Sequence, residues 1–319
     1  MKDGQFICLR NEKIEVLLTA IGASVRSLFV KDRNGRWRDI VLGYESEEDY
    51  LTNPASLGAM VGRYAGRVSG AGFKLSGKTY ELDKNEGENC LHSGFDRYET
   101  RRFRVSSQTE KSVSFELESP DGDQGFPGNA LIRVTYSLTD DAGLRIEYYA
   151  KSDTETVFNL TNHSYFQLNG HDAGDISGHT IRMDADEYIE LDKDAIPTGR
   201  IHPVDDSKFD LRTPRQLSES YDDCLVLKSG GAKDSCAQLI GDESGIQMDV
   251  YTDRPAIVLY TAEYLDEDRG KGGARYSKRC AVCLECEGYP DAMNRPEFPS
   301  EIYDSERAFK SMTELHFHA

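Results

Sequence analysis

Apolar and polar residues alternate with a period of two in three successive stretches, Ser112 to Glu118, Leu131 to Leu138 and Leu144 to Ala150. That period gives a strand one apolar face and one polar face. Turn-forming runs separate the stretches, among them Pro120-Asp121-Gly122-Asp123 and Asp140-Asp141-Ala142-Gly143. Strands joined so closely pair antiparallel, because a parallel pair needs a long crossover between them. Helical periodicity is scarce. Ser46 to Leu51 and Thr213 to Tyr221 are the stretches that could each hold a helical turn or two. With no internal repeat, low-complexity tract or linker, the pattern predicts an all-β chain, one large antiparallel β-sandwich domain over residues 1–319.

One stretch argues for a different protein. Gly72-Phe-Lys-Leu-Ser-Gly-Lys-Thr79 matches the phosphate-loop pattern G-x-x-x-x-G-K-[ST]. That pattern works only where a helix N-terminus follows and points its N–H groups at the phosphates. Here Thr79-Tyr-Glu-Leu-Asp83 alternates like a strand, and so does Phe73 to Ser76. The reading is a β-hairpin around Ser76-Gly77, with no nucleotide bound.

The chain carries 38 basic and 56 acidic residues, a formal net charge of -18. Such a surface repels nucleic acid and anionic lipid, and it suits a neutral small-molecule partner. No apolar run is long enough for a membrane span, and the N-terminal residues lack the apolar core of a secretion signal. Seven scattered cysteines suggest a reduced, cytoplasmic chain. Cys280, Cys283 and Cys286 open like an iron–sulfur run, but Tyr289 rather than a fourth cysteine precedes Pro290. They are read as small buried residues on a strand, and neither metal nor cofactor is expected.

Thr156 to Gly170, if one strand, puts Asn159, Thr161, His163, Tyr165 and Gln167 on one face. Such a face floors a ligand groove or meets solvent. His92 sits in Cys90-Leu-His-Ser-Gly94, a sequence suited to a tight loop. Glu285 lies where a strand gives way to a proline-punctuated loop, either at a cleft mouth or on the surface. Arg63 and Arg67 flank glycine in "GRYAGR" and are suited to sugar hydroxyls or to ion pairing in so acidic a chain.

Taken together, "GRYAGRV" (62–68), "LHSG" (91–94), "DGDQGFPGNA" (121–130), "NHSYFQL" (162–168), "YDDCLVL" (221–227) and "LECEGYPDAMNRPEFPS" (284–300) fall in the order found in aldose 1-epimerases. The chain resembles that family, the galactose mutarotases, over nearly its whole length. The resemblance implies a mutarotase-like β-sandwich with a groove for a free monosaccharide such as galactose or glucose. It implies Glu285 as catalytic base, His163 as acid, His92 as a second active-site histidine, and Arg67 and Asp222 as holders of sugar hydroxyls. On this reading His163 would be an imidazolium, its pKa raised by a neighbouring carboxylate, and Tyr165 or Phe126 would cover the sugar's C–H faces. Several positions depart from the family pattern. Gly66 stands where asparagine is common, Ser93 where glycine is usual, and Asp223 where histidine often follows the aspartate. Val258 and Glu287 each stand where glutamine is often found. Epimerisation of another sugar or sugar phosphate, or sugar binding without turnover, are the alternative readings.

Overall fold

The computed structural model describes residues 6–228 and 234–319. The three alternating stretches form the strands Ser112–Ser119, Ala130–Leu138 and Gly143–Ser152, paired antiparallel in register with Phe115 opposite Val134 and Val134 opposite Tyr148. They are the centre of a nine-stranded sheet completed by Arg104–Gln108 on one side and by Phe309–His318, Gln247–Thr252, Ala237–Ile240, Thr180–Met183 and Arg215–Gln216 on the other. A five-stranded sheet runs in the order Pro197–Pro203, Ala185–Leu191, Asp222–Leu227, Ala256–Tyr260, Cys283–Glu287. Ile7–Arg10, Ile14–Thr19, Ser24–Lys31 and Trp37–Asp39 make a four-stranded meander.

One apolar core joins the three sheets. It takes Leu18 and Val25 from the meander, Ile132 and Tyr148 from the large sheet, and Leu225, Ile257 and Leu284 from the five-stranded sheet. The protein is thus a large antiparallel β-sandwich. Among the described residues no helix is long and apolar enough to cross a membrane.

The hairpin is also present. Gly72–Leu75 pairs with Lys78–Glu81, and Ser76 and Gly77 take φ values of 47° and 78°. Positive φ at both central residues defines the tight turn whose twist matches flanking strands. A strand therefore follows the lysine.

Two local expectations need correction. Ser46 to Leu51 does hold a short helical turn, Glu48–Leu51, but Thr213 to Tyr221 holds none. Pro214 biases the residue before it toward extended backbone, and Arg215–Gln216 pairs with Thr180–Ile181 at the sheet edge. Thr156 to Gly170 is not one strand. Thr156–Val157 and Thr161–Asn162 are short pairings with different partners, and Phe166 bridges both Val41 and Val282. Nearly every residue of the segment is buried, so neither face is a solvated outer face.

A buried cation ties a distant loop to the meander. Lys271 is 3% exposed, and its Nζ lies 2.6 Å from Asp39 Oδ2 while donating to the carbonyls of Arg26 and Val41. Removing one partner of such a pair strands the other charge, at about 3–5 kcal/mol. Lys271→Met should lower unfolding stability by about that amount in urea titration. A loss below about 1 kcal/mol, the range of exposed pairs, would mean that the contact does not clamp the loop.

Candidate active site

The five-stranded sheet has two unlike faces. Leu225, Ile257, Leu259, Leu284 and Cys286 enter the core. The alternate residues Asp222, Cys224, Val258, Tyr260, Glu285 and Glu287 line a cavity of about 380 Å³. Register aligns them in rows, with Asp222 opposite Tyr260, and Cys224 opposite Val258, which is opposite Glu285. The same alternation separates the thiols: Cys286 faces the core, whereas Cys283 and Cys280 pack in another cluster.

The facing wall comes from three segments tied to one another. His163 is fixed through its backbone, donating to the Ala59 carbonyl at 2.8 Å and accepting from the Gly58 N–H at 3.0 Å. Its Nε2 lies 3.6 Å from Glu285 Oε1, with both side chains less than a tenth exposed. Tyr165 stacks on the His163 ring at 5.0 Å and 28°. His92 and Ser93 hold left-handed φ values of 49° and 66°, a conformation that costs most side chains energy. Ser93 Oγ secures the turn by accepting from the Tyr64 N–H at 2.8 Å and donating to the Tyr64 carbonyl at 3.1 Å. This explains how serine occupies a position where glycine is usual.

His92 Nδ1 accepts a hydrogen bond from the Gly66 N–H at 3.2 Å. That nitrogen carries no proton, so a neutral His92 bears its proton on Nε2 and can donate it. Arg67 lies on a two-residue strand paired with Cys90–Leu91, which sets it beside His92. Its guanidinium makes a bidentate contact with Glu86, at 2.7 and 3.0 Å, and reaches Asp222 Oδ2 at 3.5 Å.

The five residues singled out in sequence, Glu285, His163, His92, Arg67 and Asp222, all line this one cavity. Phe126 does not. It packs in a separate cluster against Phe73. Asp223 turns away to pair with Lys208 at 3.0 Å. Glu86, Arg97 and Tyr264 join the lining without any signal in the sequence. Tyr264 is 79% exposed and stacks at 17° on Tyr260, making an aromatic rim.

Burial governs the protonation of the central pair. It pushes the His163 imidazole down to about 4, helped by Arg97. It raises the Glu285 carboxyl well above the carboxylate range, with Glu287 and then Asp222 adding to the effect and Arg67 opposing it. The expectation of a charged His163 is therefore reversed. Desolvation acts on the imidazolium as well as on the carboxylate, and burial favours the neutral forms of both. His92 is likewise held well below its ordinary value, by burial and then by His163. One donor atom from each of His92, His163 and Glu285 lies within 4.8 Å of the others, so a divalent cation there would occupy the acid–base atoms themselves.

An antiparallel sandwich with a buried carboxyl–imidazole pair under an aromatic rim defines a protein equipped for acid–base chemistry on a small molecule. The aldose 1-epimerase family model matches residues 5–316. Galactose mutarotase of Homo sapiens is 38% identical over 319 residues, covering 95% of this chain and 92% of that protein. Aldose 1-epimerase of Escherichia coli K12 is 33% identical, covering 99% and 96%. The solved GalM/aldose epimerase homologue from C. elegans superposes with a TM-score of 0.94 at 31% identity, over 98% of each chain. The chain belongs to the aldose 1-epimerase family and is an isomerase of that kind.

Nitrogen-15 NMR of the histidine rings should find His163 neutral throughout the neutral range and titrating near pH 4, and His92 as the Nε2–H tautomer. An imidazolium signal for His163 at pH 7 in the empty protein would contradict the burial argument.

Proposed function

We propose that this chain interconverts the α and β anomers of a free aldohexose such as galactose or glucose, opening and reclosing the ring by proton transfer. The observation that carries the reading is the approach of Glu285 to His163 within 3.6 Å inside a cavity that also holds His92, Arg67 and Asp222. Glu86, Asp222, Asp266, Glu267, Glu285 and Glu287 line that cavity. Arg67 in that lining is committed to Glu86 and Asp222, and Arg97 to Ser56 and the Asn53 carbonyl, which leaves little cationic charge free for a phosphate and suits a neutral sugar. The chemistry calls for neither metal nor cofactor. Neither nucleotide nor nucleic acid is a partner in this reading, and the cell compartment is the cytoplasm.

Opening needs a base at the C1 hydroxyl and an acid at the ring oxygen. With Glu285 ionised and His163 protonated, the carboxylate takes the C1 proton while the imidazolium gives its proton to O5. The C1–O5 bond breaks and C1 becomes an aldehyde carbonyl. Rotation about C1–C2 presents the other face, and closure reverses both transfers. After opening, Glu285 is a neutral acid and His163 a neutral imidazole. Those are the forms that burial favours, so the dry site stabilises the pair in the state that accompanies the open chain. Arg67 favours the ionised form of Glu285. The Nε2–H of His92 is available to a ring or hydroxyl oxygen as charge develops.

Glu285→Gln and His163→Asn should each lower kcat by about 10²–10⁴-fold with a much smaller change in KM, read by polarimetry on freshly dissolved α-glucose or α-galactose. The active pair holds one proton between its two groups. Activity should therefore fall as pH drops through about 4, where His163 takes a second proton, and fall again above the raised range of Glu285, where the pair loses its only proton. Normal turnover in a folded Glu285→Gln variant defeats the mechanism.

Arg67→Ala and Asp222→Ala should act mainly on binding. Loss of a charge-assisted hydrogen bond costs about 1.5–3 kcal/mol, or roughly 10–100-fold in KM. Unchanged KM and kcat in both variants would place the sugar elsewhere.

A further inference from the structure

Glu287 has no part in the mechanism above, yet it is among the most enclosed acids in the chain. It is 1% exposed, neither carboxyl oxygen has a hydrogen-bond partner, and it lines the same cavity as Glu285. A buried polar atom left unpaired costs about 1–3 kcal/mol. Two on one side chain, on the wall of a binding cavity, point to a partner supplied by the ligand. Glu287 follows Glu285 by two residues on one strand, so both project from the same face. A ring whose C1 hydroxyl meets Glu285 extends its other hydroxyls along that face.

The surroundings keep this carboxyl open to the cavity. Gly66 lies over it at a φ of +80°, and a Cβ there would sit 3.3 Å from Glu287 Oε1 and 3.2 Å from Pro290 Cβ. Any larger residue at 66 would crowd the carboxyl. Val258 on the adjoining strand and Cys224 on the strand beyond it, both cavity residues, offer little competing polarity. Arg254 is committed to Glu301, at 2.6 Å.

We propose that Glu287 is a substrate-binding residue which donates a hydrogen bond to a hydroxyl oxygen of the hexose remote from C1. The proposal rests on the mutarotase reading of the site. Donation requires the neutral acid, and the surroundings supply it. Burial raises the Glu287 carboxyl to about 8, with Arg254 opposing and Glu301 adding. Glu285 beside it on the strand, Cys224 two strands away in the sheet and the buried Tyr64 also feel its charge, and none of them is cationic. A bound ring excludes further solvent and favours the neutral form again. At neutral pH the group then offers one donor and one acceptor, as a glutamine amide does.

The test is calorimetric titration of D-galactose and D-glucose into the full-length Glu285→Gln protein, where Glu287 is the remaining titratable group of the pair. Kd should stay level to about pH 8 and then weaken by roughly tenfold per pH unit, with proton uptake on binding. Adding Glu287→Gln should remove the pH dependence. Adding Glu287→Leu should weaken binding by about tenfold at every pH, with glutamine restoring most of the loss. Superimposable pH profiles with and without the Glu287→Gln substitution, proton release on binding, or full affinity with leucine would each overturn the proposal while leaving the mutarotase reading intact. Absence of hexose binding in the parent, together with absence of mutarotation in the unmodified protein, would overturn the reading and the proposal together.

Discussion

A strand buried on both faces can carry carboxyl groups on one of them only where they are paired or hydrogen-bonded, or where that face looks into a cavity that a ligand can fill. Cys283–Glu287 meets this constraint. Its Leu284 and Cys286 side chains join the apolar core, while Glu285 and Glu287 project into the cavity. The adjoining strands repeat the division in register, so the rigid half of the site is the reverse side of the hydrophobic core. Displacing Glu285 would mean shifting a ladder whose other face is packed to interior density, which interiors resist. The carboxyl position is therefore set by the same burial that stabilises the sandwich.

The opposite wall is held differently. His92, His163 and Arg67 come from short pairings and turns, and polar cross-links between segments distant in sequence fix them in place. The Ser93 hydroxyl bridges to the Tyr64 backbone, and Asn162 Nδ2 donates to the Gly58 carbonyl at 2.9 Å. Arg67 is oriented by Glu86, so its charge is directed toward Asp222 and the cavity. A half built on the core and a half built on hydrogen bonds differ in tolerance. Substitutions under the first act through packing, and those in the second act through single unsatisfied groups.

How far the sequence could foretell this follows from the range of each signal. The three strands between Ser112 and Ser152 and the Ser76-Gly77 hairpin were legible because period-two alternation and local turn chemistry act within a few residues. The convergence of Glu285, His163, His92, Arg67 and Asp222 was not. No local pattern connects them, and the expectation came from resemblance to a family. Thr156 to Gly170 misled because alternation reports which side chains point which way, not whether one continuous partner lies alongside. Phe126 misled because an aromatic residue near a glycine-rich turn looks the same whether it faces a ligand or a neighbouring phenylalanine. Glu86 and Tyr264 carried no signal, since an acid in an acidic loop and a tyrosine in a turn are common in any soluble chain.

Protonation was the least legible property, and the reason bears on the chemistry. Read as neighbours, a carboxylate and an imidazole stabilise each other's charge, which favours an ion pair. Read as buried groups, both lose hydration, which favours neutral forms. The two descriptions contain the same single proton and differ only in where it sits. With Glu285 and His163 each less than a tenth exposed, and with Glu287 and Asp222 also opposing ionisation of Glu285, the second description prevails. A pair that must deliver and receive protons in both directions gains from this balance. In the mechanism proposed above, Arg67 favours the ionic form of the pair and burial favours the neutral form that accompanies the open chain. Burial, reinforced by the acidic cluster, thus sets the resting position of one shared proton, which counting charges in the sequence cannot reveal.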